Sequence, residues 1–396
     1  MTVFLLLVLN ESWWERIGVF HMRPYFADTV AILAAGEAQR AGLDVYQPNP
    51  FDPLGRPHVY GPAWLAIAGL GLMTEDAWWL GALLALTTVG VALWLLAPRN
   101  LADALGVCLL ILSPPVLLGL ERGNNDLVVF LLLALAAVCL ARPSTLGGFA
   151  GTGVLVLAGV LKFYPLAALA TVLARRERVV RLVWIVAGAL ALFGALWWVQ
   201  RVEFFRVLAI TPRPDSIYAY GIRILSVAWA HEGEGRLWFV AGVALGGLGA
   251  AAALWRGRAA IARSIPDEGL LAAAAVAGGT SWLFCFLANN NYSYRAILWL
   301  LVVPAWLALA RSAEAAPRAL GRGLCRLLLV ALWAFMPKSF TIELLRADGG
   351  VSLERWRWVL LSSGIEQALI LVLSTVLMVA LVAWAWRRGR TLLQLG

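Results

Sequence analysis

Long apolar runs broken by short polar interruptions make up most of this chain. The clear runs cover approximately residues 77–97, 104–120, 127–141, 179–200, 235–255, 269–288, 294–310, 322–337 and 361–386. Each approaches the ~20 residues with which an α-helix crosses ~30 Å of hydrocarbon, allowing for tilt. Residues 146–174 are apolar too, but Lys162-Phe163-Tyr164-Pro165 interrupts them. Proline disfavours a continuous helix, so the pattern predicts two shorter helices meeting at that motif. Met1 to Leu9 is apolar but too short to span, and lacks the basic flank and cleavage site of a signal peptide. It reads as a first helix that is short or clipped. With it, the expectation is an all-α polytopic membrane protein of about 12 transmembrane segments, residues 1–396 forming one integral membrane domain.

Composition sharpens that picture. Hydrophobic residues make up 62% and charged residues 14%, whereas a soluble domain is about a quarter charged. Two or three soluble domains are thereby excluded, as are disordered and disulfide-framework classes. The net charge of +9 does not point to nucleic acid, because the basic residues fall between the apolar runs, where charge sets membrane orientation. The four cysteines each lie singly in or beside a different apolar run without CxxC spacing, and His21, His58 and His231 fit no zinc motif. Neither a metal nor a cofactor is indicated, and no Walker A, Rossmann or GxSxG motif occurs.

Charge orients the spans. The loops near 98–103, 142–145, 175–178, 256–268 and 311–321, the tail 387–396 and the flanking Arg181 and Arg326 carry about half of the 32 basic residues. Their acids are limited to Asp103, Glu177, Asp267, Glu268 and Glu314. The positive-inside rule puts these loops and both termini in the cytoplasm. The unusual polar clusters then fall on the extracytoplasmic face: the long first loop 10–76, Glu121 to Asp126, the Lys162 break, the loop 201–234, residues 289–295, and 338–360. A site on the outer face is the expectation.

Within the first loop, the first part of residues 23–62 suggests a helix lying in the membrane interface with Val30, Leu33, Ala34, Ala38 and Ala41 as its apolar stripe. Asp28 reads as its N-cap, or as a carboxylate at the membrane surface that takes a proton from an acceptor hydroxyl. Tyr46 and Tyr60 stand in the Pro/Asn/Gly-rich stretch that follows. Glu121-Arg122-Gly123-Asn124-Asn125-Asp126 reads as a capped hairpin turn or as a set of groups holding sugar hydroxyls. Lys162 either snorkels to the interface or faces a cavity and an anion. In Tyr292-Ser293-Tyr294-Arg295, the arginine is a headgroup anchor or a phosphate clamp, the tyrosines part of an aromatic belt.

These motifs occur in a characteristic order. Asp28, Gly42 to Tyr46, Asn49-Pro-Phe-Asp-Pro53, Gly123-Asn-Asn-Asp126, Lys162-x-Tyr-Pro165 and Asn291-Tyr-x-Tyr-Arg295 together resemble glycosyltransferase family 87, within the GT-C superfamily of membrane enzymes. Tyr60-Gly-Pro62 departs from it, standing where relatives often show Tyr-Pro. The resemblance implies a GT-C-like architecture with an extracytoplasmic active-site face. It implies inverting transfer of mannose or arabinofuranose from a polyprenyl-phosphate donor to a glycolipid or polysaccharide acceptor, in a bacterial inner membrane. Asp28 matches the family's first-loop catalytic carboxylate. Lys162, Arg295 and, in reserve, Arg122 would bind the donor phosphate. Asn124, Asn125, Asp126, Tyr46, Tyr60, Tyr164, Tyr292 and Tyr294 would bind substrate. The alternative class is a transporter or lipid-linked-sugar flippase without chemistry. Against it, 146–174 has no broken counterpart in the second half, and the loops are strongly asymmetric.

Overall fold

The structure, a computed structural model, describes residues 12–19, 21–212, 219–221, 234–288, 291–334, 336 and 353–394. Met1 to Leu9, Asn289 and Asn290, and most of 213–233 and 337–352 lie outside the described residues. The described chain is helical, and an antiparallel bridge between Ala219 and Tyr292 is the one β-type pairing found in it.

The first loop is largely helical. It contains α1 (Ser12–Arg16), α2 (Ala27–Arg40) and a 3-10 segment, Pro62–Leu70. Two sequence readings are corrected here. The residue capping α2 is Phe26, in the left-handed region at φ 57°, and Asp28 makes no capping bond because its carboxylate is engaged elsewhere. Nor is α2 a one-sided interfacial helix: Ile32, Ala35 and Glu37 are buried along with the predicted stripe, while Ala41 is exposed. The 3-10 segment packs over it, and Arg40 ties the two by donating to the carbonyls of Ala68 and Leu72.

The apolar runs follow as α3 (Ala77–Leu96), α4 (Leu101–Ile111), α5 (Pro114–Glu121), α6 (Asp126–Ala141) and α7 (Thr145–Leu161). The single span expected over 104–120 is instead two helices bent by 58°, because Pro114 and Pro115 start a new helix after Ser113. The break at Lys162 falls where expected. Beyond it Tyr164–Ala174 is 3-10, with Pro165 in its first turn. Next come α8 (Val179–Val199) and α9 (Arg201–Ile210), so the expected loop 201–234 begins as helix. The remainder are α10 (Glu234–Ile261), α11 (Gly269–Leu287), a 3-10 turn Ser293–Leu298, α12 (Trp299–Ala310), α13 (Ala315–Trp333) and α14 (Leu353–Gln394). Among the described residues, five helices are long and apolar enough to cross a membrane, six if the bent pair counts as one. Three further apolar segments, Asp126–Ala141, Thr145–Leu161 and Tyr164–Ala174, are shorter.

Small side chains enclose the centre. Ala272 to Ala277 are fully buried in α11, which packs against α6, α12, α14 and the 164–174 segment. Lipid tails are as apolar as leucine, so such contacts stabilise through close van der Waals packing. Trp282, Trp299 and Trp306 continue this core as a ladder with centroids 5.2 and 5.4 Å apart.

The basic loops join one another at one end of the bundle. Arg311 bonds Asp103 and the carbonyl of Ala97; Arg175 donates to the carbonyls of Leu140, Arg142 and Ser144; Arg181 reaches Thr145. Arg176 pairs with Glu268, Arg387 with Asp267, and Arg388 caps Leu173 and Arg175. Arg175, Arg311 and Arg388 thereby supply donors to carbonyls at segment ends.

Candidate active site

The start of α2 and the 121–126 turn are bonded together. Phe26 N donates to the Glu121 carbonyl and Asp28 N to the Arg122 carbonyl, both at 2.9 Å, and the Thr29 hydroxyl donates to the Gly123 carbonyl at 2.8 Å. Gly123 makes this turn possible: its φ is +54°, and a Cβ there would lie 2.5 Å from Thr29 Oγ1. The seam carries Asn124 to Asp28, and the amide Nδ2 donates to Asp28 Oδ2 at 2.5 Å. Asn124 Oδ1 accepts from Asp126 N at 2.8 Å, starting α6. One side chain therefore serves both as turn-former and as support for the carboxylate.

Asp28 Oδ1 faces Arg56 Nη1 at 3.3 Å. Arg56 is held by Asp52 (Nε to Oδ2, 2.9 Å) and by the Ala27 carbonyl (Nη2, 2.6 Å). The Asn49-Pro-Phe-Asp-Pro53 stretch explains how this is fixed: Asn49 Oδ1 accepts from Phe51 N and Asp52 Oδ1 from Leu54 N, two successive Asx turns that aim Asp52 at the guanidinium. Sequence reasoning missed Arg56. Its signal was an arginine closing a Pro/Asp-rich loop in an otherwise apolar chain.

Asp126 gathers the second set. Its Oδ1 accepts from Lys162 Nζ and from the Tyr164 hydroxyl (2.7 Å), and Oδ2 lies 3.2 Å from Arg295 Nε. The Arg295 guanidinium stands 5.2 Å from the Tyr164 ring centroid and 6.0 Å from that of Tyr294, which stacks on Tyr292 at 5.5 Å. Lys162 Nζ lies 5.9 Å from the Tyr60 ring centroid. The broken helix is braced from the first loop: Trp64 Nε1 donates to the Leu161 carbonyl at 3.1 Å. A Cβ on Gly61 would come within 2.9 Å of that same oxygen, which accounts for glycine in Tyr60-Gly-Pro62.

These groups surround a cavity of about 440 Å³. Its polar end holds one carboxylate, Asp28, and four cations, Arg56, Arg122, Lys162 and Arg295, with Tyr60, Tyr164, Tyr292 and Tyr294 between them. The end formed by α8 and α9 is apolar but for Gln200 and Thr211. Phe193, Leu196 and Trp197 of α8 and Phe204 and Leu208 of α9 line it, with Phe163 packed edge-on against Phe193 at 5.4 Å. Only 17% of the apolar core of α8 is buried inside the protein, so this end borders the membrane-facing side.

Four residues expected to contact substrate are placed otherwise, Asn124 among them, since it is buried behind Asp28 and does not line the cavity. Tyr46 is buried beneath the Arg206 guanidinium, 4.5 Å from it, in a cluster with Ala38, Val45 and Val207. Asn125 lies outside this cavity and lines an apolar groove behind the turn. Asp126 is fully buried against its two cations instead of lining the cavity wall. Nearby, His58 is buried between Tyr46 and Tyr60, and burial lowers its pKa to about 4. The Arg206 guanidinium bonded to Asp44 holds that carboxyl below the usual carboxylate range.

The family model for glycosyltransferase family 87 matches residues 59–286, more than half of the chain. The matched span includes Tyr60, Arg122, Asn124, Asp126, Lys162 and Tyr164, and leaves Asp28, Arg56 and Arg295 outside it. No curated protein and no solved structure matches.

Proposed function

The chain belongs to glycosyltransferase family 87, and from that membership we propose that it transfers a sugar, mannose or arabinofuranose, from a polyprenyl-phosphate donor to a glycolipid or polysaccharide acceptor at the extracytoplasmic face of a bacterial inner membrane. The observation that carries the reading is the two-ended cavity: one carboxylate among four cations at one end, an aromatic, lipid-side slot at the other. A polyprenyl-phosphate sugar has the same two ends.

Asp28 takes the proton of the acceptor hydroxyl while the acceptor oxygen bonds the anomeric carbon. The bond from that carbon to the phosphate oxygen breaks, and the electron pair leaves with the phosphate. Attack from the face opposite the phosphate inverts the configuration. Charge on the phosphate grows from about −1 in the diester towards about −2 in the released monoester. An excess of fixed cations therefore favours the transition state over the bound donor. Asp126 cancels one of these charges and orients Lys162 and Arg295, leaving net positive charge toward the cavity. Arg122 and Arg56 complete the phosphate end, and Phe163, Phe193, Trp197 and Phe204 hold the first isoprene units.

The test is transfer with purified protein in lipid, supplying polyprenyl-phosphate mannose and polyprenyl-phosphate arabinofuranose separately with membrane-lipid acceptors. New glycolipid detected by mass spectrometry with one donor supports the reading and names the sugar. Movement of either donor across liposomes without product would support the transporter reading instead.

A further inference from the structure

A second recess lies behind the 123–125 turn. It encloses about 290 Å³ between α2, the 62–70 segment, α3 and α6, and side chains such as Ile32, Ile67, Leu84, Val128 and Leu131 line it. Only a third of the apolar core of α3 is buried within the protein, and Leu83 at the recess is 55% exposed. The recess therefore opens toward hydrocarbon.

Its polar side chains are nearly all accounted for. Thr29 donates to the Gly123 carbonyl, Trp64 to that of Leu161 and Thr87 to that of Leu83. Asn125 is the exception. It is 1% exposed, and neither its Nδ2 nor its Oδ1 has a hydrogen-bond partner. An amide unbonded in an apolar wall is costly, and no water is present in hydrocarbon to relieve it. Asn125 also sits at the N-terminal end of an apolar helix, so the one unbonded polar side chain of the recess lies at one end of a greasy slot.

We propose that this recess is a binding site for a diacyl glycerolipid of the bilayer, with a chain ester carbonyl accepting from Asn125 Nδ2 and the acyl chain running down between α3 and α6. A glycerolipid has its ester at the boundary between head group and hydrocarbon, which matches one amide above an apolar slot. The site is separate from the basic cavity and does not rest on the transferase reading. Occupancy braces the turn that holds Asn124 against Asp28.

The experiment places the full-length protein in nanodiscs of phosphatidylglycerol carrying a diazirine in one acyl chain, followed by irradiation and mapping of labelled peptides. The lipid-facing residues 183–192 of α8 serve as the reference for ordinary boundary lipid. Peptides containing 83–87 and 128–131 should be labelled about fivefold above that reference, the increment of one typical hydrogen bond. Asn125→Leu should bring them to the reference level and leave α8 unchanged. Should Asn125→Leu fail to fold, Leu83→Trp at the exposed mouth blocks the slot and should give the same loss. An unlabelled diether lipid, which lacks the carbonyl, should compete less well than the diester. Equal labelling of recess and α8, or a recess signal that survives the folded variant, overturns the proposal.

Discussion

Asn124 Nδ2 lies 2.5 Å from Asp28 Oδ2, although the two residues are ninety-six positions apart in the chain. The contact joins the first loop to the hairpin turn that opens α6, and it fixes one oxygen of the proposed base while Arg56 approaches the other. Replacing Asn124 by leucine removes a charge-assisted hydrogen bond worth roughly 1.5–3 kcal/mol. The turnover of Asn124→Leu should fall about tenfold to a hundredfold, with donor affinity largely retained. Initial rates at saturating and limiting donor separate the two effects.

Arg56 contacts Asp28 and lines the phosphate end of the cavity. Arg56→Met should weaken donor binding and slow transfer by about tenfold or more, since one cation facing the phosphate is lost. Arg56→Lys should recover only part, because an ammonium does not reproduce the fork held by Asp52 and the Ala27 carbonyl. Donor titrations on both variants check this.

Asp126 supplies the buried counter-charge for Lys162 and Arg295. Removing one member of such a group leaves uncompensated charge in a low-dielectric site and costs ~3–5 kcal/mol. Asp126→Asn should lower the thermal unfolding transition markedly in detergent. Asp126→Asn combined with Lys162→Met should recover part of that loss without recovering transfer. A variant Asp126→Asn as stable as wild type would contradict the geometry.

Burial lowers the His58 pKa to about 4 from 6.5. The unfolded chain then binds more protons between those values, so this contribution is complete above pH 6.5 and is lost as pH falls through 4. At pH 5 the loss is about 2 kcal/mol. Thermal transitions measured at pH 7.5 and pH 5 should differ more for wild type than for His58→Gln.

The legible parts of this chain are those whose cause is local. The apolar runs announce helices, and Lys162 beside Pro165 announces a break, because both depend on neighbouring residues. Asp28 and Arg295 were visible as charged groups beside apolar runs. The pairings that build the site depend instead on distant contacts. Asp126 read as a substrate ligand because nothing local shows that Lys162, Tyr164 and Arg295 converge on it. Asn124 and Asn125 look equivalent in sequence, and only the packing of the turn against Asp28 separates them, one bonded to that carboxylate and the other lining the apolar groove behind it. Arg56 escaped notice because its significance lies in the turn geometry of Asn49 to Pro53. Pro114 and Pro115 were present in plain view, yet the apolar run around them concealed the bend.

Asp28 is the proposed base in transfer from a polyprenyl-phosphate sugar. The most direct measurement compares wild type with Asp28→Asn in the same lipid, recording donor binding and product formation together. The amide keeps the shape and loses the ability to take the acceptor's proton. The account predicts donor binding within a fewfold of wild type and no detectable product. Undiminished product formation by a folded Asp28→Asn variant would contradict it.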